Sequence, residues 1–211
     1  MTAAPFRRER LRPAPTDIVA VACSAGGVRA LGVLLGSLEA DFAVPVLVVL
    51  HLDPRRPTLI AEILGRQCAL PVKLAEQGEP ARPGTVHIAP PGRHLLVGAD
   101  GRLRLSGSAR VHFVRPSADV LFGSVAESYG PRALVCVLTG TGRDGAAGAD
   151  QVRARGGTVI VEDPRTAEFN GMPTAALGAG DADFVLPLGE ISAAIRAALR
   201  ADREKTEGRD G

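Results

Sequence analysis

Ile18-Val-Ala-Val-Ala-Cys-Ser24-Ala-Gly-Gly27, running on into Val28-Arg-Ala-Leu-Gly-Val-Leu-Leu35, reads as a buried strand, a tight turn carrying one serine, and a helix. An unbroken apolar run suits a strand covered on both faces, as in a parallel sheet. A hydroxyl on that turn stands at the carboxyl end of a strand and the amino end of a helix. There the helix dipole and unpaired backbone N–H groups favour developing negative charge. The turn therefore suits a nucleophilic serine, and equally a phosphate-binding loop. A dinucleotide fingerprint would need G-x-G-x-x-G and an acidic residue closing the next strand. The next strand ends Val48-Val-Leu-His51, which weighs against that reading.

Working outward, a helix is predicted near Val28–Leu38, a second buried strand over Val44–Leu50, and a helix over Thr58–Cys68 with Leu59, Ile63 and Leu64 on one face. Pro71 to Arg110 is dense in Pro and Gly, with short alternating segments at Thr85–Ala89 and His94–Val97 and a hairpin turn at Gly98-Ala-Asp-Gly101. That texture predicts an antiparallel insertion. A helix begins at Pro116-Ser-Ala-Asp with Ser117 as its N-cap. Ala133–Leu138 is a third buried strand, followed by the glycine-rich loop Thr139–Gly145 and a helix over Ala146–Arg155. Gly156–Val161 and Asp183–Leu186 supply further strands, and Glu190–Leu199 closes with an amphipathic helix. Strands alternating with helices predict an α/β fold: a doubly wound, mainly parallel sheet with helices on both faces and a small antiparallel β insertion. The expected organisation is a disordered, basic, Pro-rich tail over 1–16, one domain over 17–200, and a charged tail over 201–211.

Composition bounds the function. The chain has 211 residues, enough for one domain with a substantial core. Aromatics are only 3%, with no Trp, which argues against a base-stacking surface for nucleic acid. The net charge of +2 is too small to imply a polyanion partner. Cys23, Cys68 and Cys136 are widely spaced and form no CxxC pair, which fits a reducing compartment and gives no support for a structural zinc site. The amino terminus lacks the apolar core of a signal peptide, and the longest apolar run is far too short to span a bilayer. A cytoplasmic protein with no membrane insertion is expected.

In open parallel sheets functional groups gather at the carboxyl ends of strands. Three fall there: Ser24 after the first strand, His51 after the second, and Asp144 in the loop after Leu138. A serine nucleophile needs a base within reach, and the base needs a carboxylate to fix its tautomer. Each residue also has a structural alternative. Ser24 can support a tight turn, His51 can be a structural histidine, and Asp144 can be a helix N-cap. The chain order Ser, His, Asp differs from the Ser, Asp/Glu, His order of ordinary α/β-hydrolases. Cys23, beside Ser24, is a variant nucleophile. His94 is a candidate to line the cleft, whereas His87 and His112 read as ordinary strand or loop positions.

Taken in order, several motifs carry a resemblance: Ser24-Ala-Gly-Gly27, His51, Pro83-Gly-Thr-Val-His-Ile-Ala-Pro90, Gly92-Arg-His-Leu95, Arg115-Pro-Ser-Ala-Asp-Val-Leu-Phe122, Leu138-Thr-Gly-Thr-Gly-Arg-Asp-Gly-Ala146 and Gly171-Met-Pro173. The chain from Asp17 to Leu199 resembles the catalytic domain of chemotaxis protein-glutamate methylesterases of the CheB type. The resemblance implies hydrolysis of glutamate methyl esters on the helical cytoplasmic region of methyl-accepting chemoreceptors, with glutamine deamidation in some members, and no cofactor. It assigns Ser24 as nucleophile, His51 as base and Asp144 as orienting acid, with backbone N–H donors at Ala25 and Thr141 for the oxyanion. The sequence departs from the family pattern at Ala22, Cys23 and Ala25, where Gly, Ala and Thr are usual, at Leu50 and Asp53 around the histidine, and at Thr141, where Met is usual. These departures bear on substrate fit and rate rather than on the triad. Classical members carry a receiver domain ahead of this one. Here about sixteen residues stand in that place, so the expectation is a constitutive enzyme or one governed by a separate regulatory protein. The alternative is a degenerate domain that binds a receptor or signalling partner without hydrolysis.

Overall fold

Successive side chains of Ile18–Cys23 (β1) enter two different cores: Val19, Val21 and Cys23 one, Ile18, Ala20 and Ala22 the other. All six are buried, so β1 lies in the middle of a two-sided sheet. The computed structural model describes residues 16–55 and 57–207, with side chains to residue 199. The tail expected over 1–16 lies, apart from Thr16, outside the described residues.

From β1 the chain continues through α1 (Gly27–Gly36), β2 (Val46–Leu50), α2 (Ile60–Gly65), β3 (Val72–Leu74), β4 (Val86–Ile88), β5 (His94–Val97) and β6 (Leu103–Ser106). It goes on through α3 (Ala118–Tyr129), β7 (Ala133–Val137), α4 (Ala146–Ala154), β8 (Thr158–Glu162), α5 (Gly171–Ala179), β9 (Phe184–Leu186) and α6 (Leu188–Glu207). Seven strands form one parallel sheet in the order β3-β4-β2-β1-β7-β8-β9, and β5 and β6 pair as a separate antiparallel hairpin. One face is covered by α1, α2 and α6 through Leu31, Leu34, Leu64, Ile191 and Ile195. The other is covered by α3, α4, α5 and the hairpin through Leu121, Phe122, Val152, Met172 and Leu95. With few aromatics, aliphatic burial drives folding, at about 1.5–3 kcal/mol for each fully buried Leu, Ile or Val. The doubly wound α/β architecture is the one expected.

The segment Pro71–Arg110 differs from its expectation. Only β5 and β6 are antiparallel, joined at the predicted Gly98–Gly101 turn. β3 and β4 instead join the main parallel sheet, Val72–Leu74 and Val46–Val48 both pairing with Val86–Ile88. The reason is His87. Its place between Val86 and Ile88 imitates the alternation of a half-exposed strand, yet its side chain is fully buried. Glu79 Oε1 lies 3.2 Å from its Nδ1, and the Arg82 N–H donates to its Nε2. Burial, only partly offset by Glu79, lowers the His87 pKa. Helix α5 was not predicted, because Gly171, Pro173 and Gly178 interrupt any amphipathic pattern; Pro173 is tolerated in the first turn. Helix α6 runs past Leu199 to Glu207, into the segment expected as a charged tail.

Candidate active site

Helix α1 leaves β1 towards one face of the sheet, and α4 leaves the adjacent β7 towards the other. Connections that part in this way open a crevice at the carboxyl ends of the two strands. Ser24 is the first residue beyond β1. The register pairs Cys23 with Leu50, and the His51 N–H donates to the Cys23 carbonyl at 3.3 Å. Ser24 and His51 are thus consecutive positions on neighbouring strands, whose spacing is about 4.8 Å. Cys23 and Leu50 both face the α1 side, so alternation turns the next residues to the α3 and α4 side. Asp144 arrives from that side, in the loop between β7 and α4.

His51 Nε2 meets Asp144 Oδ2 at 2.8 Å. The carboxylate is only 3% exposed and the imidazole 14%. Asp144 Oδ2 also accepts the Ala118 N–H at 2.6 Å, and Oδ1 accepts the Ser117 hydroxyl at 2.6 Å and the Asp119 N–H at 3.2 Å. Burial disfavours the charged carboxylate, but His51, the Ser117 hydroxyl and the two helix N–H groups outweigh it, and the pKa is held below the ordinary Asp value. A carboxylate that stays ionised can stabilise an imidazolium without taking its proton. Because Nε2 faces Asp144, Nδ1 is the ring nitrogen left for proton transfer.

The residue expected to cap α3, Ser117, stands at the N-cap, but its hydroxyl goes to Asp144 and makes no bond to the helix backbone. The cap is Asp144. In turn Asp119 Oδ1 accepts the Gly145 and Gly148 N–H groups at 3.0 and 2.7 Å and so caps α4, the role the N-cap alternative gave to Asp144.

The serine turn is braced from β7. The Ser24 N–H donates to the Thr139 carbonyl at 3.0 Å. Thr139 Oγ1 donates to the Ala25 carbonyl at 3.0 Å and accepts the Phe169 N–H at 2.9 Å. The Thr139 N–H is held by buried Glu162 Oε2 at 2.7 Å. Gly26, with φ +74°, reverses the chain into α1 in a left-handed conformation that a side chain would strain. At Gly140 a Cβ would lie 2.9 Å from Ser24 Cβ and 2.3 Å from Met172 Sδ, so the serine rests directly on this glycine. Ser24 Oγ makes no hydrogen bond among the described residues and is half-buried. The N–H groups of Ala25 and Thr141 likewise find no acceptor among them. Two free donors beside a free hydroxyl, next to a His–Asp pair, can serve acyl transfer.

The remaining candidates separate clearly. Cys23 is wholly buried with Sγ towards the Val49 carbonyl, and burial pushes its thiol pKa far up, so no thiolate is available there. His94 does not line the cleft. It is fully buried, accepting the Ser117 N–H at Nδ1 and directing Nε2 to the Ala109 carbonyl, so it steadies the start of α3. His112, read as an ordinary loop residue, places Nε2 2.9 Å from Asp119 Oδ2. Together His112, Asp119 and Asp144 are the one cluster among the described residues with metal-ligand proximity. Every carboxylate oxygen in it already holds a hydrogen-bond partner, which fits a hydrogen-bonded brace better than a cation site.

A family model described as CheB methylesterase matches residues 19–195. A protein-glutamate methylesterase/protein-glutamine glutaminase of Myxococcus xanthus is 42% identical over 183 residues, 87% of this chain and 52% of that protein. A putative protein-glutamate methylesterase/protein-glutamine glutaminase of Leptospira interrogans is 36% identical over 92% of this chain and 98% of its own length. The crystal structure of the Thermotoga maritima CheB methylesterase catalytic domain superposes with a TM-score of 0.81 at 37% identity, covering 88% of this chain and 98% of that one. The chain spans about half the length of the first of these relatives, and likewise of the Myxococcus xanthus FrzG methylesterase and a Rhizobium meliloti relative. The family model, the sequence identity and the structural superposition each extend over most of the described length, and the chain belongs to the CheB methylesterase family.

Proposed function

We propose that this chain hydrolyses γ-methyl esters of glutamate residues on the helical cytoplasmic region of methyl-accepting chemoreceptors, with Ser24, His51 and Asp144 as its triad. The observation that carries the reading is the 2.8 Å His51–Asp144 pair at the strand end next to Ser24. In this mechanism Ser24 Oγ attacks the ester carbonyl carbon while His51 Nδ1 takes the hydroxyl proton. Asp144 stabilises the imidazolium. The tetrahedral oxyanion accepts the free N–H groups of Ala25 and Thr141, each such donor being worth about 3–4 kcal/mol. The carbon–methoxy bond breaks, His51 protonates the leaving group, and methanol departs. Water, deprotonated by His51, then attacks the acyl-serine, releasing the glutamate carboxylate and restoring the Ser24 hydroxyl.

The same acyl-enzyme forms from a glutamine side chain with ammonia leaving, and the relatives' names carry both activities. We propose deamidation as a second reaction of this site. A receptor substrate of this kind places the protein in the cytoplasm; among the described residues no helix is long and apolar enough to cross a membrane. The test is methanol release from a methylated receptor cytoplasmic fragment by wild type and Ser24→Ala. Release by wild type alone supports the reading. Release by both removes Ser24 as nucleophile, and release by neither, with both folded, favours a non-enzymatic binding module.

A further inference from the structure

The turn at residues 111–114 stands beside the catalytic pair and has no part in the mechanism above. Its two central residues, His112 and Phe113, both have positive φ, +50° and +65°. Left-handed backbone at a bulky residue costs on the order of 1 kcal/mol or more, and a tight two-residue turn ordinarily avoids this with Asn or Gly. The turn is nonetheless firmly built. Val111 and Val114 exchange both backbone hydrogen bonds, at 3.2 and 3.0 Å, and His112 is tied to Asp119. What this construction presents to solvent is the Phe113 ring, 94% exposed. An exposed ring returns nothing to folding, in a chain with only six phenylalanines.

Among the described residues, the two depressions that flank the turn are lined by basic side chains and by no carboxylate. Phe113 and Arg110 line, with His51 and Pro54, a depression of about 120 Å³ at the mouth of the site. On the other side of the turn, His112 and Arg143 line a second depression of about 400 Å³ with Ala146 and Ala175. Arg110 and Arg143 are exposed, and neither guanidinium forms an ion pair or hydrogen bond among the described residues. Arg55, Arg132, Arg153 and Arg165, by contrast, are all engaged by aspartates. Each turnover of a protein methylesterase leaves a new carboxylate on its substrate, so a segment that carries several such esters becomes acidic as they are cleaved in turn.

We propose that Phe113, with Arg110 beside it and Arg143 on the other side of the turn, is the docking surface for an acidic segment of the protein substrate that carries an apolar side chain. The proposal rests on the protein-methylesterase reading given above. Phe113 supplies the apolar anchor, the strained turn holds that anchor in place before binding, and the two guanidinium groups set the orientation of the segment over His51.

The decisive comparison uses two substrates, a methylated receptor fragment and the small activated ester 4-nitrophenyl acetate, with wild type, Phe113→Asn and the double variant Arg110→Glu/Arg143→Glu. Asn accepts the left-handed backbone, so Phe113→Asn is expected to melt at or above the wild-type temperature. Its kcat/KM for the fragment, divided by that for the small ester, falls about tenfold, and the loss lies in KM for the fragment. The double variant lowers the same ratio and weakens its dependence on ionic strength. A ratio within twofold of wild type for Phe113→Asn overturns the docking surface. Equal loss on both substrates also overturns it, by placing the effect in the chemistry. Wild type that cleaves the small ester but not the fragment overturns the substrate reading itself, a different result from either.

Discussion

Asp144 and Asp119 exchange helix ends. Asp144, two residues before α4, caps α3 through the Ala118 and Asp119 N–H groups, and Asp119, in the first turn of α3, caps α4 through Gly145 and Gly148. Each carboxylate sits at the positive end of the other's helix. The acid that orients His51 is thereby fixed by two helices rather than by its own loop, and its charge is stabilised by the same bonds that aim it.

Asp119→Ala therefore acts on catalysis without touching substrate. Loss of the α4 cap costs about 1–2 kcal/mol in urea unfolding. The Asp144 loop loosens, and kcat falls about tenfold while KM stays within twofold. Asp119→Asn, whose amide oxygen still accepts the two N–H groups, recovers most of the loss. An Asp119→Ala variant with wild-type kcat would show that the exchange is structural only.

The fold was legible wherever burial was two-sided and apolar: β1, β2 and β7 are continuous runs of Val, Leu, Ala, Ile and Cys, and all are core strands. It was illegible where a polar side chain is buried with partners supplied from elsewhere. His87 disguised β4 as a half-exposed strand because Glu79, eight residues upstream, satisfies it. The three residue types of the candidate triad stood at strand ends in the sequence, and the structure joins His51 to Asp144. Nothing local marked Asp119 or His112, because their roles depend on two helix N-termini meeting across 26 and more residues of chain. The left-handed turn at Phe113 had no signal either, since it lacks the Gly or Asn that usually marks one.

Asp144→Asn separates the charge from the shape of that carboxylate. The folded pKa of Asp144 is depressed, so its contribution to stability is present above the unfolded value, about 3.9, and is lost as pH falls through the lower folded value. The gap in unfolding free energy between wild type and Asp144→Asn should be constant near neutrality and close in acid. At neutral pH kcat should fall by about 10³–10⁴, as expected when the base loses its tautomer. A stability gap that persists unchanged below pH 3 would count against the capping account.

Thr139 links the serine turn to β7 with its hydroxyl. Thr139→Val keeps the volume but strands the Ala25 carbonyl and the Phe169 N–H, at about 1–3 kcal/mol for unsatisfied buried groups. Since the Ala25 peptide borders the expected oxyanion donors, kcat should drop at least tenfold. Thr139→Ser should restore both stability and turnover, and a serine variant as impaired as the valine one would refute the hydroxyl's role.

Glu162 sits behind this brace with 2% exposure. Burial raises its pKa, the Thr139 N–H and Arg29 oppose the rise, and Glu168 adds to it; burial prevails. A carboxyl whose folded pKa is raised is no burden while protonated. Its favourable contribution is complete below the unfolded pKa, about 4.3, and is lost as pH rises through the higher folded value. Glu162→Gln keeps an acceptor for the Thr139 N–H and removes the titration. The melting temperatures of variant and wild type should therefore coincide near pH 4, and the variant should become the more stable as pH rises, with the gap levelling once Glu162 is ionised in the wild type. Melting curves between pH 4 and 8 decide the matter. A difference independent of pH would mean that the ionised Glu162 is fully compensated by Thr139 and Arg29, and that the buried charge behind the serine turn costs the fold nothing.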